Sequence, residues 1–389
     1  MRGTLATRTM RDIEYLRASG IPRMKRLLVT GGAGFIGANF CHYWNATYPA
    51  DRLVVLDALT YAGNLASIAD LVQKQRLRFV HGDICDRDRV AALIREESID
   101  TIVNFAAESH VDRSIEDPQS FLRTNVMGTH ALLEAARAAW SSTADRGPRR
   151  FHHVSTDEVY GSLGPADPAF TESTPYAPNS PYSASKAAAD HIVRAYAHTY
   201  GVPCTISNCS NNYGPYQFPE KLLPLCIVNL LEGRPLPIYG DGLQIRDWLQ
   251  VVDHCRAIDL ILRASPVGET WNVGGGSTEP NIRIVETVCD LVDEAFRQRP
   301  ELSTRYPRSA SAQHRSSRSL MQHVPDRPGH DRRYAVDGSK IARLGFIAQT
   351  SLVAGLTATV HWYLENERWW RDIVSGEYRD WYARQYAAS

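Results

Sequence analysis

The sequence predicts an α/β protein in which a doubly wound parallel sheet is joined to a smaller C-terminal lobe. Short apolar runs alternate with longer stretches of helical periodicity between residues 25 and 208. Near-continuous apolar runs are typical of parallel strands that helices cover on both faces. Right-handed crossovers then favour a doubly wound arrangement. Past residue 209 the elements become shorter and richer in proline, which indicates the second lobe.

Six strand-like runs mark the first lobe. The stretches between them, such as residues 125–139, carry apolar residues at helical spacing. Residues 244–264 also have the pattern of a helix-bearing segment, and we expect them to return to the first lobe. The predicted strands end at Gly31, Asp57, Asp83, Ala107, Thr156 and Asn208.

Composition and charge argue against several kinds of partner. Apolar residues make up 43% of the chain and charged residues 22%, as in ordinary globular proteins. Lysine plus arginine and aspartate plus glutamate number 43 each, so no net basic field favours nucleic acid or an anionic membrane. No apolar run approaches the roughly 18 residues of a membrane span. The seven cysteines include no C-x-x-C pair, which favours a reducing, cytoplasmic setting over a disulfide framework.

Three segments depart from the α/β pattern. Residues 1–23 are rich in arginine, lack the apolar core of a secretory signal and precede Met24, so we expect a disordered N-terminal extension. Residues 298–324 are rich in arginine and serine with little apolar pattern, and we expect a mobile surface segment. The aromatic tail, residues 361–386, is expected to form packed helix.

The run "VTGGAGFIG" places Gly31, Gly34 and Gly37 between the first strand and the first helix. Glycines at this spacing allow a tight turn and close approach of a pyrophosphate, and the helix N-terminus favours its negative charge. Asp57 ends the next strand and can accept hydrogen bonds from the ribose 2′-hydroxyl of an adenosine, which favours NAD over NADP. The alternative is a structural glycine turn that holds no ligand.

The run "SPYSASKAAADHIVRAYAHTYG" predicts a helix that begins near a proline and ends at a glycine. Tyr182 and Lys186 are four residues apart, so they lie on the same face of this helix. An ammonium beside a phenol lowers the pKa of the phenol, which would let tyrosine act as a base near neutral pH. The alternative is an exposed helix with an incidental pair.

These motifs together resemble the extended short-chain dehydrogenase/reductase family, and within it the nucleotide-sugar dehydratase branch. The resemblance extends almost continuously from Met24 to the tail. The runs that carry it are "TGGAGFIG", "DALTYAGNL", "AAESHVDRSI", "STDEVYG", "PYSASKA", "NCSNNYGPYQFPEKLLPL", "IYGDGLQIRDWL" and "DRPGHDRRYAVD".

The resemblance implies a division of the chain into two lobes. Residues 24–208, with a return segment at about 244–275, would form a Rossmann-type NAD-binding domain. Residues 209–243 and 276–389 would form the nucleotide-sugar-binding lobe. The resemblance also implies dTDP-glucose as the substrate and a homodimer as the assembly, and the product would enter deoxysugar (rhamnose-type) biosynthesis.

The reaction implied is oxidation of C4 of the hexose, loss of water across C5 and C6, and return of hydride to C6. Tyr182, assisted by Lys186, would deprotonate the 4-hydroxyl, and Thr156 would hydrogen-bond the same group. Glu158 would remove the C5 proton, and a protonated Asp157 would donate to the departing C6 hydroxyl. Two adjacent carboxyls suit this division because mutual repulsion separates their pKa values. Solvated strand-end caps are the alternative for the two carboxylates.

Further contacts are implied residue by residue from the matched runs. The positions that resemble cofactor contacts are Gly31, Gly34, Phe35, Ile36, Gly37, Asp57, Ala58, Leu59, Thr60, Asp83, Ile84, Ala106, Ala107, Glu108, Ser109, Thr124, Tyr182, Lys186 and Asn212. Those that resemble nucleotide-sugar contacts are Ser109, Thr156, Asn211, Lys221, Leu222, Pro237, Ile238, Tyr239, Arg246, Asn281, Asp326, Arg327, Pro328, Gly329 and His330.

Arg246 and Arg327 suit a diphosphate, because guanidinium groups bind phosphate oxygens in a fork. Their alternative role is structural ion pairing with Asp247 or Asp331. The turn "GGGSTEPN" departs from the family pattern and makes Asn281 a less secure assignment.

Other readings stay open at this point. A nucleotide-sugar 4-epimerase needs no acid–base pair beyond the tyrosine, and a 4,6-dehydratase could act on a different nucleotide. A catalytically idle NAD-binding protein would be expected to lack one of the four reactive side chains. His152 and His153 alternate across a strand, so we expect core packing and no metal site.

Overall fold

The computed structural model describes residues 24–141, 147–326 and 329–375. The predicted N-terminal extension, residues 1–23, lies outside the described residues. So do Arg327 and Pro328 of the predicted substrate site and the last part of the aromatic tail, residues 376–389.

Seven parallel strands form the central sheet in the order β10-β6-β5-β4-β1-β2-β3. The strand order reverses between β1 and β4, because the chain continues from β1 to β2 and β3 on one side and from β4 to β5 and β6 on the other. The connections that leave β1 and β4 therefore diverge, and a crevice remains between them at the carboxyl ends of the two strands. Ligands of doubly wound sheets bind at such a point. The predicted fold class is confirmed. The strands are β1 (Arg26–Thr30), β2 (Arg52–Asp57), β3 (Leu77–His81), β4 (Thr101–Asn104), β5 (Arg150–Thr156), β6 (Cys204–Cys209) and β10 (Thr270–Val273).

Two small sheets lie outside the central one. A three-stranded sheet has the order β11-β9-β7, and β12 pairs with β8 in a two-stranded sheet. Their strands are β7 (Asn211–Tyr213), β8 (Leu236–Tyr239), β9 (Ile245–Gln250), β11 (Thr278–Pro280) and β12 (Met321–Val324).

The α-helices alternate with the strands of the central sheet and then form most of the second lobe. They are α1 (Phe35–Thr47), α2 (Ala69–Gln73), α3 (Arg87–Glu96), α4 (Val111–Glu116), α5 (Pro118–Phe121), α6 (Thr129–Ser141), α7 (Pro181–Tyr200), α8 (Leu222–Glu232), α9 (Val251–Ala264), α10 (Asn281–Gln298), α11 (Glu301–Arg305), α12 (Ser339–Ala342), α13 (Leu352–Glu365) and α14 (Glu367–Val374). A π-helix, Leu122–Gly128, joins α5 to α6. Among the described residues, none of these helices combines the length and the apolarity that crossing a bilayer requires.

The longest helix, α7, has strong signals at both ends. Ser180 caps its N-terminus in a capping box with Ser183, and Pro181 occupies the first turn. Gly201 ends the helix in the left-handed conformation, with φ of 66°. These signals fix the helix register, and with it the positions of Tyr182 and Lys186.

Both faces of the central sheet are buried under helices. Leu28 and Val54 point to the face covered by α3, α6 and α7, whereas Leu27, Val29 and Val55 point to the face covered by α1 and α9. Successive residues of each strand thus serve opposite cores, as strand geometry requires. The continuous apolar runs of the sequence follow from this two-sided burial.

The predicted return segment divides between the sheets. Helix α9 packs on α1 and β10 extends the central sheet, while β9 joins the small sheet of the second lobe. Ile341 and Phe346, which the prediction places in the second lobe, pack against Trp271 and Val273 of the β10 region. These contacts cross the predicted domain boundaries, which stay a prediction.

The second lobe has its own core between α8, α10, α13 and α14. Ile227, Val288, Tyr363 and Trp370 are fully buried in it. The aromatic tail is thus packed helix as far as it is described. Near its end, Val374 packs with Phe218 beside Tyr61, so α14 borders the loops that lead into the first lobe.

The prediction of a mobile segment at residues 298–324 was wrong. This segment contains α11, two 3-10 turns (Ser311–Gln313 and Ser317–Leu320) and β12. Its few apolar side chains, including Leu302 and Tyr306, are buried against the second core. Its polar residues bind the acidic side of α10, where Ser311 Oγ donates to Asp293 at 2.6 Å. Hydrogen bonds and ion pairs fix the segment where apolar periodicity is absent.

Candidate active site

The glycine turn after β1 is built from close backbone contacts. Gly31 has a φ of 68°, and its N–H donates to Leu56 O at 3.0 Å. A Cβ on Gly37 would lie 2.3 Å from Gly31 O, so α1 can approach the turn only through glycine. A Cβ on Gly34 would meet only Gly31 O, at 3.3 Å, and it would occupy the space in front of the first turn of α1. The turn thus forms an open cradle at a helix N-terminus.

A single cavity extends from this cradle to the carboxyl ends of β4, β5 and β6. All the predicted cofactor contacts except Leu59 line it: Gly31, Gly34, Phe35, Ile36, Gly37, Asp57, Ala58, Thr60, Asp83, Ile84, Ala106, Ala107, Glu108, Ser109, Thr124, Tyr182, Lys186 and Asn212. The structure therefore brings these residues together. Their roles as contacts stay predictions.

Asp57 is held at the end of β2 by two backbone donors. Its carboxylate accepts from Ala33 N at 2.9 Å and from Leu59 N at 2.8 Å. Burial raises the pKa of Asp57, and these two hydrogen bonds oppose the shift. Leu59, which does not line the cavity, contributes this backbone donor instead of a contact surface.

The predicted reaction centre forms where β5 ends. Thr156 is the last residue of the strand, and a 3-10 turn, Asp157–Tyr160, follows directly. Thr156 Oγ1 accepts from Glu158 N at 3.3 Å and so fixes the start of the turn. Thr156, Asp157 and Glu158 line the same cavity as Tyr182. A solvated strand-end cap, the alternative reading, does not fit Asp157, which is only 1% exposed, whereas Glu158 is half-buried.

Asp157 is placed where a protonated carboxyl is favoured. Burial raises its pKa well above the ordinary value, and the neighbouring Glu158 and Asp247 raise it further. Arg246 and a hydrogen bond from Thr156 oppose the shift. Asp157 Oδ2 has no hydrogen-bond partner among the described residues, although it is buried. A protonated carboxyl at this position could therefore give a proton to a group bound in the cavity that it lines.

Tyr182 and Lys186 line the cavity together, and the effect of the lysine on the pKa of the phenol stays a prediction. Burial raises the pKa of Tyr182 well above its ordinary value, Glu158 adds to this, and a hydrogen bond with Thr156 opposes it. Lys186 Nζ donates to Val154 O at 2.8 Å and lies 3.4 Å from His153 Nε2. Helical spacing puts the two side chains on one face, yet the lysine reaches towards β5.

The predicted nucleotide-sugar contacts fall into two groups. Ser109, Thr156, Asn211 and Lys221 line the cavity. The remaining described ones lie outside it and are Leu222, Pro237, Ile238, Tyr239, Arg246, Asn281, Asp326, Gly329 and His330.

Most of the second group gathers around the β8–β12 sheet. His330 Nδ1 lies 2.6 Å from Asp326 Oδ1, and Gln244 donates to the other oxygen of Asp326 at 3.1 Å. The ring of Tyr239 meets His330 edge-on, with centroids 6.1 Å apart. Asn281 N donates to Gln244 O at 2.9 Å. This cluster is a compact polar patch at one end of the second lobe.

Arg246 lies between the two groups. It is 5% exposed, its Nη2 donates to Asp331 O at 2.9 Å, and its guanidinium stacks on the ring of Tyr334 at 4.3 Å. It is close enough to Asp157 to lower the pKa of that carboxyl. The alternative role of Arg246 is an ion pair with Asp247. The carboxylate of Asp247 already accepts hydrogen bonds from the backbone N–H groups of Gly275 and Ser277.

Sequence comparison agrees with this geometry. A family model described as GDP-mannose 4,6 dehydratase matches residues 28–359. The dTDP-glucose 4,6-dehydratase of Neisseria meningitidis serogroup B is 50% identical over 92% of this chain and 98% of its own length. That of Xanthomonas campestris pv. campestris is 54% identical over 92% and 98%. The chain belongs to the dTDP-glucose 4,6-dehydratase family.

A solved structure of the same family gives the same result for the fold. DesIV, the dTDP-glucose 4,6-dehydratase of Streptomyces venezuelae with NAD and dTDP bound, matches with a TM-score of 0.79 and 47% identity. The match covers 90% of this chain and 99% of that one.

Several residues at the site of this dTDP-glucose 4,6-dehydratase family member were not predicted. Glu220 is a buried carboxylate that lines the cavity and accepts from Arg113 Nε at 3.3 Å. The Arg113 guanidinium also stacks on Tyr61 at 4.0 Å. Asn125 accepts from Glu108 N at 2.9 Å and donates to Ser185 Oγ at 2.8 Å, which ties the loop after β4 to α7. Glu220 directly precedes the predicted Lys221, so the matched run contained it.

The two strand histidines differ in their surroundings. His152 lies between Thr205 Oγ1, at 3.0 Å, and Ser207 Oγ, at 3.1 Å. His153 points to the other side, towards Lys186. Both are buried, as predicted for core residues. The described residues contain no group of three or more histidine, cysteine or acidic side chains that could hold a metal ion.

Proposed function

We propose that this protein is an NAD-dependent dTDP-glucose 4,6-dehydratase, a hydro-lyase that converts dTDP-D-glucose to dTDP-4-dehydro-6-deoxy-D-glucose and water. The observation that carries this proposal is that Asp157 and Glu158 line one cavity with Tyr182 and the glycine cradle. A 4-epimerase would need the cradle and the tyrosine but not the acid–base pair.

The cavity suits NAD. The cradle of Gly31, Gly34 and Gly37 presents backbone N–H groups and a helix N-terminus, which would hold the pyrophosphate. Asp57 would accept from the ribose hydroxyls of the adenosine and would repel a 2′-phosphate. Lys186 would contact the opposite end of the cofactor. Bound NAD would accept hydride from C4 of the hexose and return it to C6, so that no net oxidation results.

Tyr182 is the proposed base for the 4-hydroxyl of the hexose. Thr156 hydrogen-bonds to Tyr182 and opposes the rise in the pKa of its phenol, so the two hydroxyls would hold the 4-hydroxyl between them. Tyr182 is only 9% exposed and lines the cavity, so its proton would leave towards the cavity. These contacts support general-base catalysis at C4.

Glu158 and Asp157 are the proposed pair for elimination. Once C4 is a ketone, the proton on C5 is acidic, and the Glu158 carboxylate would take it. Asp157 would give its proton to the hydroxyl that leaves C6, so one water departs and a C5–C6 double bond forms. The raised pKa of Asp157 keeps this proton in place before the step.

The second cluster is the proposed site for the nucleotide. Arg246 would bind the diphosphate, and the Tyr239–His330 edge would face the thymine. Asn211 Oδ1 and Asn281 Oδ1 are buried without a hydrogen-bond partner among the described residues, which supports a polar ligand at both positions. Arg327 and Pro328 complete this proposed set but lie outside the described residues.

The test of the proposed function is an assay of the purified protein with dTDP-, UDP-, CDP- and GDP-hexoses. We expect loss of one water from dTDP-glucose by mass spectrometry, with much slower reaction of the other nucleotides. A product of unchanged mass would instead favour the 4-epimerase. Turnover of another nucleotide alone would overturn the choice of dTDP.

Neutralising Asp157 should separate stability from activity. Because the folded-state pKa of Asp157 is raised, the native state retains a proton that the unfolded chain has released. The group therefore lowers the free energy of unfolding as the pH rises above the ordinary pKa of an aspartate. Asp157→Asn removes that loss. We expect the variant to be at least as resistant to urea as the wild type at pH 7, and to dehydrate substrate about 100-fold or more slowly. A variant that is less stable and fully active would contradict both parts.

We propose that the protein acts as a homodimer in the cytoplasm and serves a rhamnose-type deoxysugar pathway. Ile115, Leu122 and Met127 are 46%, 53% and 58% exposed on the helical segment 111–128, and these apolar side chains could pack against a second copy of the chain. We expect Leu122→Asp with Met127→Asp to halve the mass seen by light scattering. A wild type that is already monomeric would refute the dimer.

A further inference from the structure

A buried carboxylate lies one helical turn beyond Lys186 on α7. Asp190 is fully buried, and Tyr182, Lys186 and Asp190 follow each other at intervals of four residues. They therefore form one stripe along the face of α7 that packs on β5 and β6. None of the roles proposed above uses Asp190.

The hydrogen bonds of Asp190 leave one oxygen uncompensated. Oδ2 accepts from Ser155 Oγ and from Tyr176 OH, each at 2.9 Å. Oδ1 has no hydrogen-bond partner among the described residues and lies 3.5 Å from His153 Nε2. Burial of a carboxylate is unfavourable unless a cation balances its charge, so this oxygen requires a positive charge nearby.

Lys186 supplies that charge beside the same ring. Its Nζ lies 3.4 Å from the same Nε2, so the ammonium and the carboxylate both approach one ring nitrogen. Burial lowers the pKa of Lys186, and Asp190 is the strongest group that opposes this. In turn, burial raises the pKa of Asp190, and Lys186 is the strongest group that opposes that shift.

The imidazole beside them is neutral, and its tautomer follows from its neighbours. Thr30 Oγ1 donates to Asn104 Oδ1 at 2.6 Å, which turns the Asn104 amide nitrogen towards His153 Nδ1 at 3.1 Å. The acceptor is then Nδ1, and the proton of the ring lies on Nε2, next to Asp190. Burial and Lys186 lower the pKa of His153 well below its ordinary value, so the ring adds no charge.

Other titratable groups also face this pair. Tyr176 and Arg194 act on Asp190, where Arg194 Nη2 donates to Tyr176 OH at 2.7 Å. Cys209, on β6, acts on Lys186 with a weaker effect than Asp190. Asp190 is therefore the principal counter-charge of the lysine.

We infer that Asp190 is a positioning residue for the proposed reaction, and that its carboxylate keeps Lys186 a charged ammonium at the base of the cavity. This inference rests on the proposed function of Tyr182 and Lys186. It assigns a reason for a carboxylate in the core.

The first test is the pH dependence of kcat for Asp190→Asn. Removal of the carboxylate favours the neutral amine, so the alkaline limb of the profile should move to lower pH by about one unit. The matched control is Tyr176→Phe, which removes one donor to the same carboxylate but no charge. Its profile should keep the wild-type limbs. Equal losses of stability in both variants with unmoved profiles would show a merely structural carboxylate and overturn the inference.

The second test needs no activity. Lys186→Met leaves Asp190 buried without its counter-charge, so Lys186→Met with Asp190→Asn should unfold at a higher temperature than Lys186→Met alone. If Asp190→Asn alone fails to fold, the double variant still tests the pairing of Lys186 with Asp190. No gain in the double variant would refute the pairing. A wild type that binds NAD but dehydrates no dTDP-hexose would refute the proposed function and leave this coupling measurable.

Discussion

Glu158→Gln is expected to stop water loss while oxidation at C4 stays measurable. The amide keeps the size of the side chain and the backbone hydrogen bond from Glu158 N to Thr156 Oγ1, so the turn after β5 should persist. It cannot accept the C5 proton. Loss of a general base costs about 10² to 10⁴-fold in rate. Incubation with dTDP-glucose in D₂O should therefore show reduced cofactor by absorbance and no deuterium at C5 by mass spectrometry.

The matched control for Glu158→Gln is Glu116→Gln, the same change at an exposed position on α4. That variant should dehydrate at the wild-type rate. Deuterium at C5 at the normal rate in Glu158→Gln would assign the base to another group. Asp157 would then be the first candidate, because it lines the same cavity.

Tyr182→Phe is expected to abolish both oxidation and dehydration. The phenylalanine ring keeps the edge-on contact with Phe121, whose centroid lies 6.3 Å away, so the fold should hold. Without the phenol no group takes the proton of the 4-hydroxyl, and kcat should fall by about 10² to 10⁴-fold with little change in KM. Single-turnover absorbance should show no reduced cofactor. This outcome separates Tyr182→Phe from Glu158→Gln, in which the first step survives.

A matched tyrosine for comparison lies further along the same helix. Tyr196 OH donates to Glu134 Oε1 at 2.7 Å, away from the cavity. Tyr196→Phe should cost some stability and leave the rate unchanged. Oxidation that persists in Tyr182→Phe would mean that Thr156 or a carboxylate serves as the first base.

The sequence was informative where local signals decide the structure. The glycine turn, the strand that ends at Asp57 and the capped helix that carries Tyr182 all depend on residues adjacent in the chain, and the structure has each of them. Thr156, Asp157 and Glu158 follow from the same logic, because a parallel strand delivers its last residues to the crevice. The roles of these three residues came from the family resemblance, because the spacing of apolar residues does not indicate which reaction a side chain performs.

Contacts between distant segments were the part that could not be predicted. Lys186 donates to a carbonyl of β5 and lies beside the ring of His153, two contacts that the helical spacing did not predict. Residues 298–324 lack apolar periodicity, and their order comes from Asp290 and Asp293 of α10. The Glu220–Arg113 contact joins residues 107 positions apart. Such pairings are set by the tertiary fold.

Helix α14 has a consequence for how the enzyme comes into being. Trp369 on this helix donates to Ser67 Oγ at 3.1 Å, a bond between residues 302 positions apart, and Val374 packs on Phe218 at the rim of the cavity. A nascent chain still on the ribosome therefore has the cradle and the reactive side chains long before α14. We expect cofactor affinity to mature only after α14 has emerged, so chains terminated before it would hold NAD poorly.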